Sequence, residues 1–504
     1  MSTFQAFSPK TGEPYGAAIH EWSKLEVDQV ITSAHNVQGA FSSTSPTARA
    51  LAMNAIADAI EVVRPLLIES ACAESGLPEG RIAGEVTRTV VQIKLFADLV
   101  ATGDHFKAVI DLADPNYSPA PRADLRKQNQ ALGTVAIFAA SNFPLAFSVA
   151  GGDSASALAA GNCVVVKAHP SHPNTSAIVA DAVRSALKSV GLPQEIFSVV
   201  QGVNPEITHW LAEHPDISAV GFTGSGKVGK ILIDIASRRS TPIPVFAEMG
   251  SLNPVFVTSS AILERGVELA KASVDSALLG SGQFCTKPGI FFIPSGEAGE
   301  IFVADIEKYL STLSSGPLLN KGIADRYNQS ISHLAKDGAL KVISGQANEA
   351  GYGVTPTLFI TDWMSVASNK ELLEEHFGPT AIVIYADESE FVGIASQIEG
   401  QLTATIQGSE SDSVSELLAK LSEKAGRVIW NGFSTGVAVT AAMQHGGQWP
   451  ASSSHTTSVG LDSLYRFVRP VAYQNLPDSA LPPALQKSNP WKIERIINGV
   501  RSKQ

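Results

Sequence analysis

Three cysteines, Cys72, Cys163 and Cys285, are spread over the chain, and only the last stands where a thiol could do chemistry. It closes Gly280-Ser281-Gly282-Gln283-Phe284-Cys285, a glycine-rich loop after a helical pattern, where a side chain can be exposed and its own amide can face a ligand. Thiolate is the nucleophile, and a free thiol with a pKa of about 8.5 needs positive charge, amides or a cofactor beside it. The competing reading of Cys285 is a small buried hydrophobe, and local context leaves both open. Cys72 and Cys163, inside helical and strand patterns, read as structural. An odd number of cysteines with no CxxC spacing implies neither a disulfide framework nor a metal set. No metal is expected.

Other motifs fail on a missing partner. Gly221 to Lys227 matches G-x-x-x-x-G-K, but Val228 follows and lacks the hydroxyl that a P-loop places on Mg²⁺. Gly224, Gly226 and Gly229 match G-x-G-x-x-G at a strand-to-helix turn, where bare amides can face a pyrophosphate, although a plain tight turn explains them almost as well. Gly432-Phe433-Ser434-Thr435-Gly436 matches the nucleophile elbow of serine hydrolases. That chemistry needs a carboxylate and then a histidine downstream, and no carboxylate lies between Ser434 and His455, the last histidine. His169 and His172 lack a third ligand and read as solvated histidines at a strand end.

The elements that must position these residues are legible as periodicity. Two helical stretches run from about 47 to 75 and from about 80 to 99, followed by the polar, proline-rich interval 114–130. From Leu132, fully apolar runs (LGTVAIFAA, NCVVVKAH, IFSVVQG, ISAVGFTG) alternate with helical patterns, as in a parallel sheet covered on both faces. Such a sheet binds its ligand at the carboxyl ends of the strands. A second α/β series begins with PVFAEMG and PVFVT. Residues 131–152 contain no charge and are long enough to span a bilayer. Ser141, Asn142 and Pro144 in the middle favour a strand, Leu132 to Ala140, then a turn and a helix.

The 504 residues, 44% hydrophobic and 17% charged, bury a large core and exclude disordered and coiled-coil classes. A net charge of −11 gives no bulk attraction for nucleic acid or anionic membranes, so anionic ligands must be held locally. No secretory signal is evident at the N-terminus, and a cytoplasmic location is expected.

Taken together in order, Asn142-Phe143-Pro144, Lys167, Gly221-Phe222-Thr223-Gly224-Ser225, Glu248-Met249-Gly250, Gly282-Gln283-Phe284-Cys285, Glu375-His376-Phe377-Gly378-Pro379 and Asn431 resemble the motifs of the aldehyde dehydrogenase superfamily. The resemblance implies an α/β fold with two doubly wound domains and an oligomerisation arm: residues 1–112 and 132–246 for the cofactor, 247–460 for catalysis, and 113–131 with 461–504 as arm and C-terminal segment. It implies that Cys285 attacks the aldehyde, that Asn142 and the Cys285 amide stabilise the oxyanion, and that Glu248 activates water against the thioester. Lys167, Gly224, Ser225, Glu375 and Phe377 match cofactor positions. NAD-preferring members commonly carry Glu three residues after the lysine. Pro170 stands there instead, so a 2′-phosphate meets no repulsion, and Lys167, His169 and Ser171 are expected to favour NADP with NAD tolerated.

In place of the common P-F-G-G-x-K-x-S-G, the chain has Gln444-His445-Gly446-Gly447-Gln448-Trp449-Pro450 and later Ser458-Val459-Gly460. This combination resembles the branch of 2,5-dioxovalerate (α-ketoglutaric semialdehyde) dehydrogenases, with NADP-dependent fatty aldehyde dehydrogenases as the alternative. An aldehyde is the expected small-molecule partner, in a homodimer or homotetramer. The group that binds a distal carboxylate is not placed by sequence; Lys287, Ser458 and the arginines at 122 and 126 are candidates.

Overall fold

The computed structural model describes residues 2–503; Met1 and Gln504 lie outside the described residues. The first α/β unit is built on a five-stranded parallel sheet, in the order Phe197–Val200, Val164–Lys167, Thr134–Phe138, Ile217–Thr223, Val245–Glu248. All five residues of Thr134–Phe138 and all four of Val164–Lys167 are buried, which is why these strands read as unbroken apolar runs. The order reverses beside Thr134–Phe138, so a crevice opens where its carboxyl end meets that of Ile217–Thr223. The uncharged stretch resolves as this strand, a polar turn, and the helix Gly152–Ala159. Among the described residues no helix is long and apolar enough to cross a membrane.

The second unit has a seven-stranded sheet in the order Lys341–Ser344, Thr357–Asp362, Thr380–Ala386, Ile290–Pro294, Val255–Val257, Gln401–Gln407, Ala425–Trp430, parallel except at the first pair. Phe256 and Phe292 stack at 4.7 Å in its core. Fully burying such a side chain is worth about 1.5–3 kcal/mol. A third sheet pairs Val468–Gln474 with Leu125–Ala131 over seven residues and continues through Val109–Asp111, Arg495–Ile497 and Val500–Ser502.

One expectation about the N-terminal region needs correction. The stretch expected as one helix over about 47–75 is two, Pro46–Val62 and Arg64–Ser75, because Pro65 has no amide to continue the ladder. A helix at Lys24–Ser42 and a hairpin of Thr3–Phe7 with Pro14–His20 precede them. That helix has a signature that sequence reading passed over, a capping box in which Ser23 and Glu26 satisfy each other's amides.

Candidate active site

Cys285 is placed by a loop that cannot be built without glycine. After the helix Ser259–Leu278 the chain turns through Gly280, Ser281 and Gly282 at φ +59°, +57° and +66°. A Cβ on Gly282 would overlap the Gly378 carbonyl. Side chains then pin the loop from three directions. Asn253 donates to the carbonyls of Cys285 and Lys287, both at 2.9 Å. Ser434, of the apparent nucleophile elbow, is fully buried and donates to the Thr286 carbonyl at 2.6 Å. Lys287 is neither a solvated lysine nor a carboxylate clamp: it is buried, and its ammonium donates to the carbonyls of His376 and Thr380 at 2.9 and 2.6 Å.

Asn142 reaches the same loop, its amide donating to the Gln283 carbonyl at 3.0 Å. The turn that carries it is held by His172, whose Nε2 lies 3.0 Å from the Ala140 carbonyl. His172 is therefore a buried structural histidine rather than the solvated one expected. Glu248 ends the edge strand of the first sheet and is 3% exposed. It accepts from Ser458, a short bond that removes Ser458 from the carboxylate-binding candidates.

The residue that sequence reasoning missed is His445. Its ring is fully buried, with Nε2 3.5 Å from Cys285 Sγ and 3.0 Å from Glu248 Oε1. The approach to Glu248 lies off the hydrogen-bond direction, leaving Oε1 without an aligned donor, while Nε2 is aligned on the sulfur. Thr457 Oγ1 accepts the His445 amide at 2.8 Å, and the Ser458 amide donates to the His445 carbonyl at 2.7 Å. The clue was a histidine where the common family pattern has phenylalanine.

Burial drives the electrostatics. Desolvation pushes the Cys285 thiol well above its ordinary range, the Glu248 charge adds to this, and Arg88 pulls the other way. Burial also acts to raise Glu248, but His445, Ser458 and Arg466 together outweigh it and the carboxyl titrates below its usual range. The resting pair is a neutral thiol and a carboxylate, with an imidazole between them. Sequence spacing offers no metal set, yet folding brings donor atoms of Glu248, Cys285 and His445 within 4.8 Å of one another.

The residues expected to hold the dinucleotide lie at the crevice of the first sheet. The helix Gly226–Arg238 begins with Ser225 as an N-cap that makes no side-chain cap bond, and a Cβ on Gly226 would meet nothing within 4 Å. Uncapped amides in open space suit a pyrophosphate. The Gly224 amide, in contrast, is taken by the Glu248 carbonyl at 3.1 Å, so the amides free to meet a ligand begin one residue later than expected. Lys167 donates to the carbonyls of Ala168 and Gly202 at 2.8 and 2.7 Å, and burial lowers its pKa to about 8. His169 is held neutral by burial and by the nearby His172 and Lys167, and its Nδ1 accepts the Ser171 amide at 3.2 Å. Ser171 Oγ accepts from Asn320 at 2.9 Å, leaving its own proton to give. Glu375 packs against Gly250, two residues after Glu248, and burial raises its pKa against the opposing charge of Lys287. Phe377 packs on the core of the first unit.

The aldehyde dehydrogenase family model matches residues 1–469. This chain is a member of the aldehyde dehydrogenase family. Two relatives are 42% identical to it: alpha-ketoglutaric semialdehyde dehydrogenase 2 of Azospirillum brasilense, over 99% of this chain and 96% of that protein, and alpha-ketoglutaric semialdehyde dehydrogenase of Acinetobacter baylyi, over 99% and 95%. Among solved structures, lactaldehyde dehydrogenase from Escherichia coli superposes with a TM-score of 0.81 at 23% identity, over 94% of this chain and 95% of that one. Glyceraldehyde-3-phosphate dehydrogenase GapN from Methanocaldococcus jannaschii, complexed with NADP, gives 0.80 at 19%, over 93% and 98%. These two show the shared fold. As an aldehyde dehydrogenase the protein uses NAD(P), whose nicotinamide, when bound, accepts the hydride of the aldehyde carbon.

Proposed function

We propose that this aldehyde dehydrogenase oxidises 2,5-dioxopentanoate to 2-oxoglutarate through Cys285, with NADP preferred over NAD. The observation that carries the reaction is the cluster of the half-buried Cys285 with the buried His445 and Glu248. A thiol raised by burial needs a base at the moment of attack. His445 Nε2, aligned on Sγ, takes the proton, and the Glu248 charge 3.0 Å away steadies the imidazolium. Sγ bonds to the carbonyl carbon, and the oxygen gains the charge that the Asn142 amide and the Cys285 N–H stabilise. Once the acyl group is a thioester on Sγ, Glu248 takes a proton from the water that attacks it, and the thiol leaves with the proton held on His445. Ser225, the first amides of the following helix, Lys167, Ser171, Glu375 and Phe377 hold the dinucleotide.

The substrate reading is supported by the names of the two 42% identical relatives. Pro170 in place of a carboxylate supports NADP, although His169 is neutral and gives a phosphate a hydrogen bond at most. The competing substrate is a long-chain aldehyde, favoured by the aromatic cluster of Phe143, Phe147 and Phe284 beside the site. Specificity constants for 2,5-dioxopentanoate, hexanal and dodecanal with each cofactor decide between them. The acid is expected to lead by more than about tenfold, and dodecanal leading would overturn the reading. Cys285→Ser is expected to bind cofactor but not turn over.

We assign 1–112 and 132–246 to the cofactor domain, 247–460 to catalysis, and the remainder to an arm. The three sheets support this division, except that Val109–Asp111 joins the arm sheet and the last strand of the cofactor sheet, Val245–Glu248, crosses the 246/247 boundary. The edge strand Val468–Gln474 of that sheet leaves one row of backbone groups to pair, which supports a homodimer or homotetramer. Light scattering on the purified enzyme tests it. The unpaired state of all three cysteines supports a reducing cytoplasm.

A further inference from the structure

Each candidate for the distal carboxylate is occupied elsewhere. Lys287 and Ser458 are bonded as described above. Arg122 donates to the Leu112 carbonyl and to Asn498, and Arg126 pairs with Asp124 and Asp478 in the arm sheet. One guanidinium beside the site is unused. Arg88, on the helix Glu79–Thr102, makes no hydrogen bond or ion pair with any described residue, and its Nε and Nη2 are buried without a partner. Burying that many unmet donors is costly, and native proteins rarely leave them so.

The charges around Arg88 are paired with one another. Arg81, two turns earlier on the same face, is neutralised by Glu85 at 2.5 Å. The other Glu85 oxygen accepts the amides of Leu145 and Ala146, both at 2.9 Å, so Glu85 acts on Arg88 through its charge and makes no hydrogen bond to it. Arg466 has Asp153. One turn beyond Arg88, Gln92 Nε2 is also buried without a partner, close to Gly152.

The guanidinium lies 4.9 Å over the Phe147 ring and 5.8 Å from that of Phe143. Phe143 follows Asn142, and the Phe147 ring lies 6.3 Å from that of His445. Arg88 is thus one aromatic ring removed from the nucleophile and its base. Burial disfavours its charge and Glu85 is the largest group opposing that, with Glu248 and, once ionised, Cys285 acting in the same direction. The carboxylate and aldehyde carbons of a five-carbon oxo-acid are about 5 Å apart when extended, a span of four C–C bonds.

We propose that Arg88 is the specificity-determining residue of this enzyme, binding the carboxylate of an ω-oxo acid in a fork held between Phe143 and Phe147 while the aldehyde lies at Cys285. This rests on the oxo-acid reading above. A planar guanidinium with free donors is matched to a carboxylate, and ring faces on one side fix its plane. The substrate then completes the coordination that the protein leaves open, and the −11 chain gains its anion selectivity from one positive group.

The test compares 2,5-dioxopentanoate with pentanal, equal in carbon number and uncharged, in wild type, Arg88→Lys and Arg88→Met. Expected is a fall of about a hundredfold in kcat/KM for the acid in Arg88→Met, carried by KM, with pentanal changed by less than about threefold and Arg88→Lys intermediate. Equal losses for both substrates would overturn the proposal, since Arg88 would then act only on the reacting groups. The wild-type column tests the substrate reading separately: a wild type with no preference for the acid overturns that reading, and the clamp with it. If Arg88→Met does not fold, glutarate is titrated against pentanal oxidation by wild type. Competitive inhibition supports the clamp, and no inhibition refutes it.

Discussion

Replacing His445 by phenylalanine, the residue of the common family pattern, isolates what the buried imidazole does. In the folded protein, Glu248 is pulled below its ordinary range because His445, Ser458 and Arg466 outweigh burial. His445 is the largest of the three, and two unit charges 3.0 Å apart interact by about 5 kcal/mol at an effective dielectric of about 20. That attraction favours the imidazolium formed as the thiol gives up its proton. The variant should therefore lose about 10²–10³-fold in kcat, within the range of one general base. With its main counter-charge gone, burial dominates Glu248 and its pKa moves up. Activity should then recover as pH rises and the carboxylate re-forms, so the acid limb of the kcat/KM profile shifts to higher pH. Stability follows with a definite sign. In wild type the depressed Glu248 contributes stability above its unfolded pKa, lost as pH falls through the folded one. In His445→Phe the raised carboxyl instead costs stability at higher pH, up to about 3–5 kcal/mol for a buried unpaired charge, and the deficit closes on acidification. Stopped-flow detection of reduced cofactor, steady-state pH profiles and urea unfolding at several pH values measure all three. Wild-type kcat with a superimposable pH profile would show that His445 is only packing, and the relay would be abandoned.

Three further outcomes are expected. Gly282→Ala should abolish activity and lower the unfolding midpoint, because its φ of +66° and the Gly378 carbonyl leave no room for a methyl group; a soluble, active variant would contradict the loop geometry. Lys167 titrates at about 8, so KM for NADP should climb between about pH 7 and pH 9 more steeply than KM for NAD, and parallel curves would remove Lys167 from phosphate recognition. Zinc should inhibit wild type reversibly, with EDTA restoring turnover, since Glu248, Cys285 and His445 present oxygen, sulfur and nitrogen donors within 4.8 Å; undiminished zinc sensitivity in His445→Phe would place the ion elsewhere.

The α/β alternation from Leu132 onward was legible because parallel strands buried on both faces must be apolar throughout, and Thr134–Phe138 and Val164–Lys167 are. Cys285 was separable from Cys72 and Cys163 by its glycines, since the three positive φ values at Gly280, Ser281 and Gly282 depend on backbone that glycine makes accessible. Lys287 was misread because two residues of separation along a loop say nothing about direction, and its ammonium turns away to the carbonyls of His376 and Thr380. The hairpin at the N-terminus was missed because its strands are largely exposed and show little alternation.

What the sequence determined by itself is the set of local necessities: which runs are strands, where the backbone needs glycine, and which residues match a reaction's motifs. What only the tertiary structure decided is the company those residues keep. His445 lies 160 positions from Cys285, yet its ring lies against both Cys285 and Glu248. Arg88 lies on an early helix that no motif marks, and its free donors become visible only when the partners of every neighbouring charge are known. Contacts of that range depend on how the two α/β units and the N-terminal helices pack against each other, and the rewards of such packing are nondirectional apolar burial, which local pattern records only as hydrophobicity.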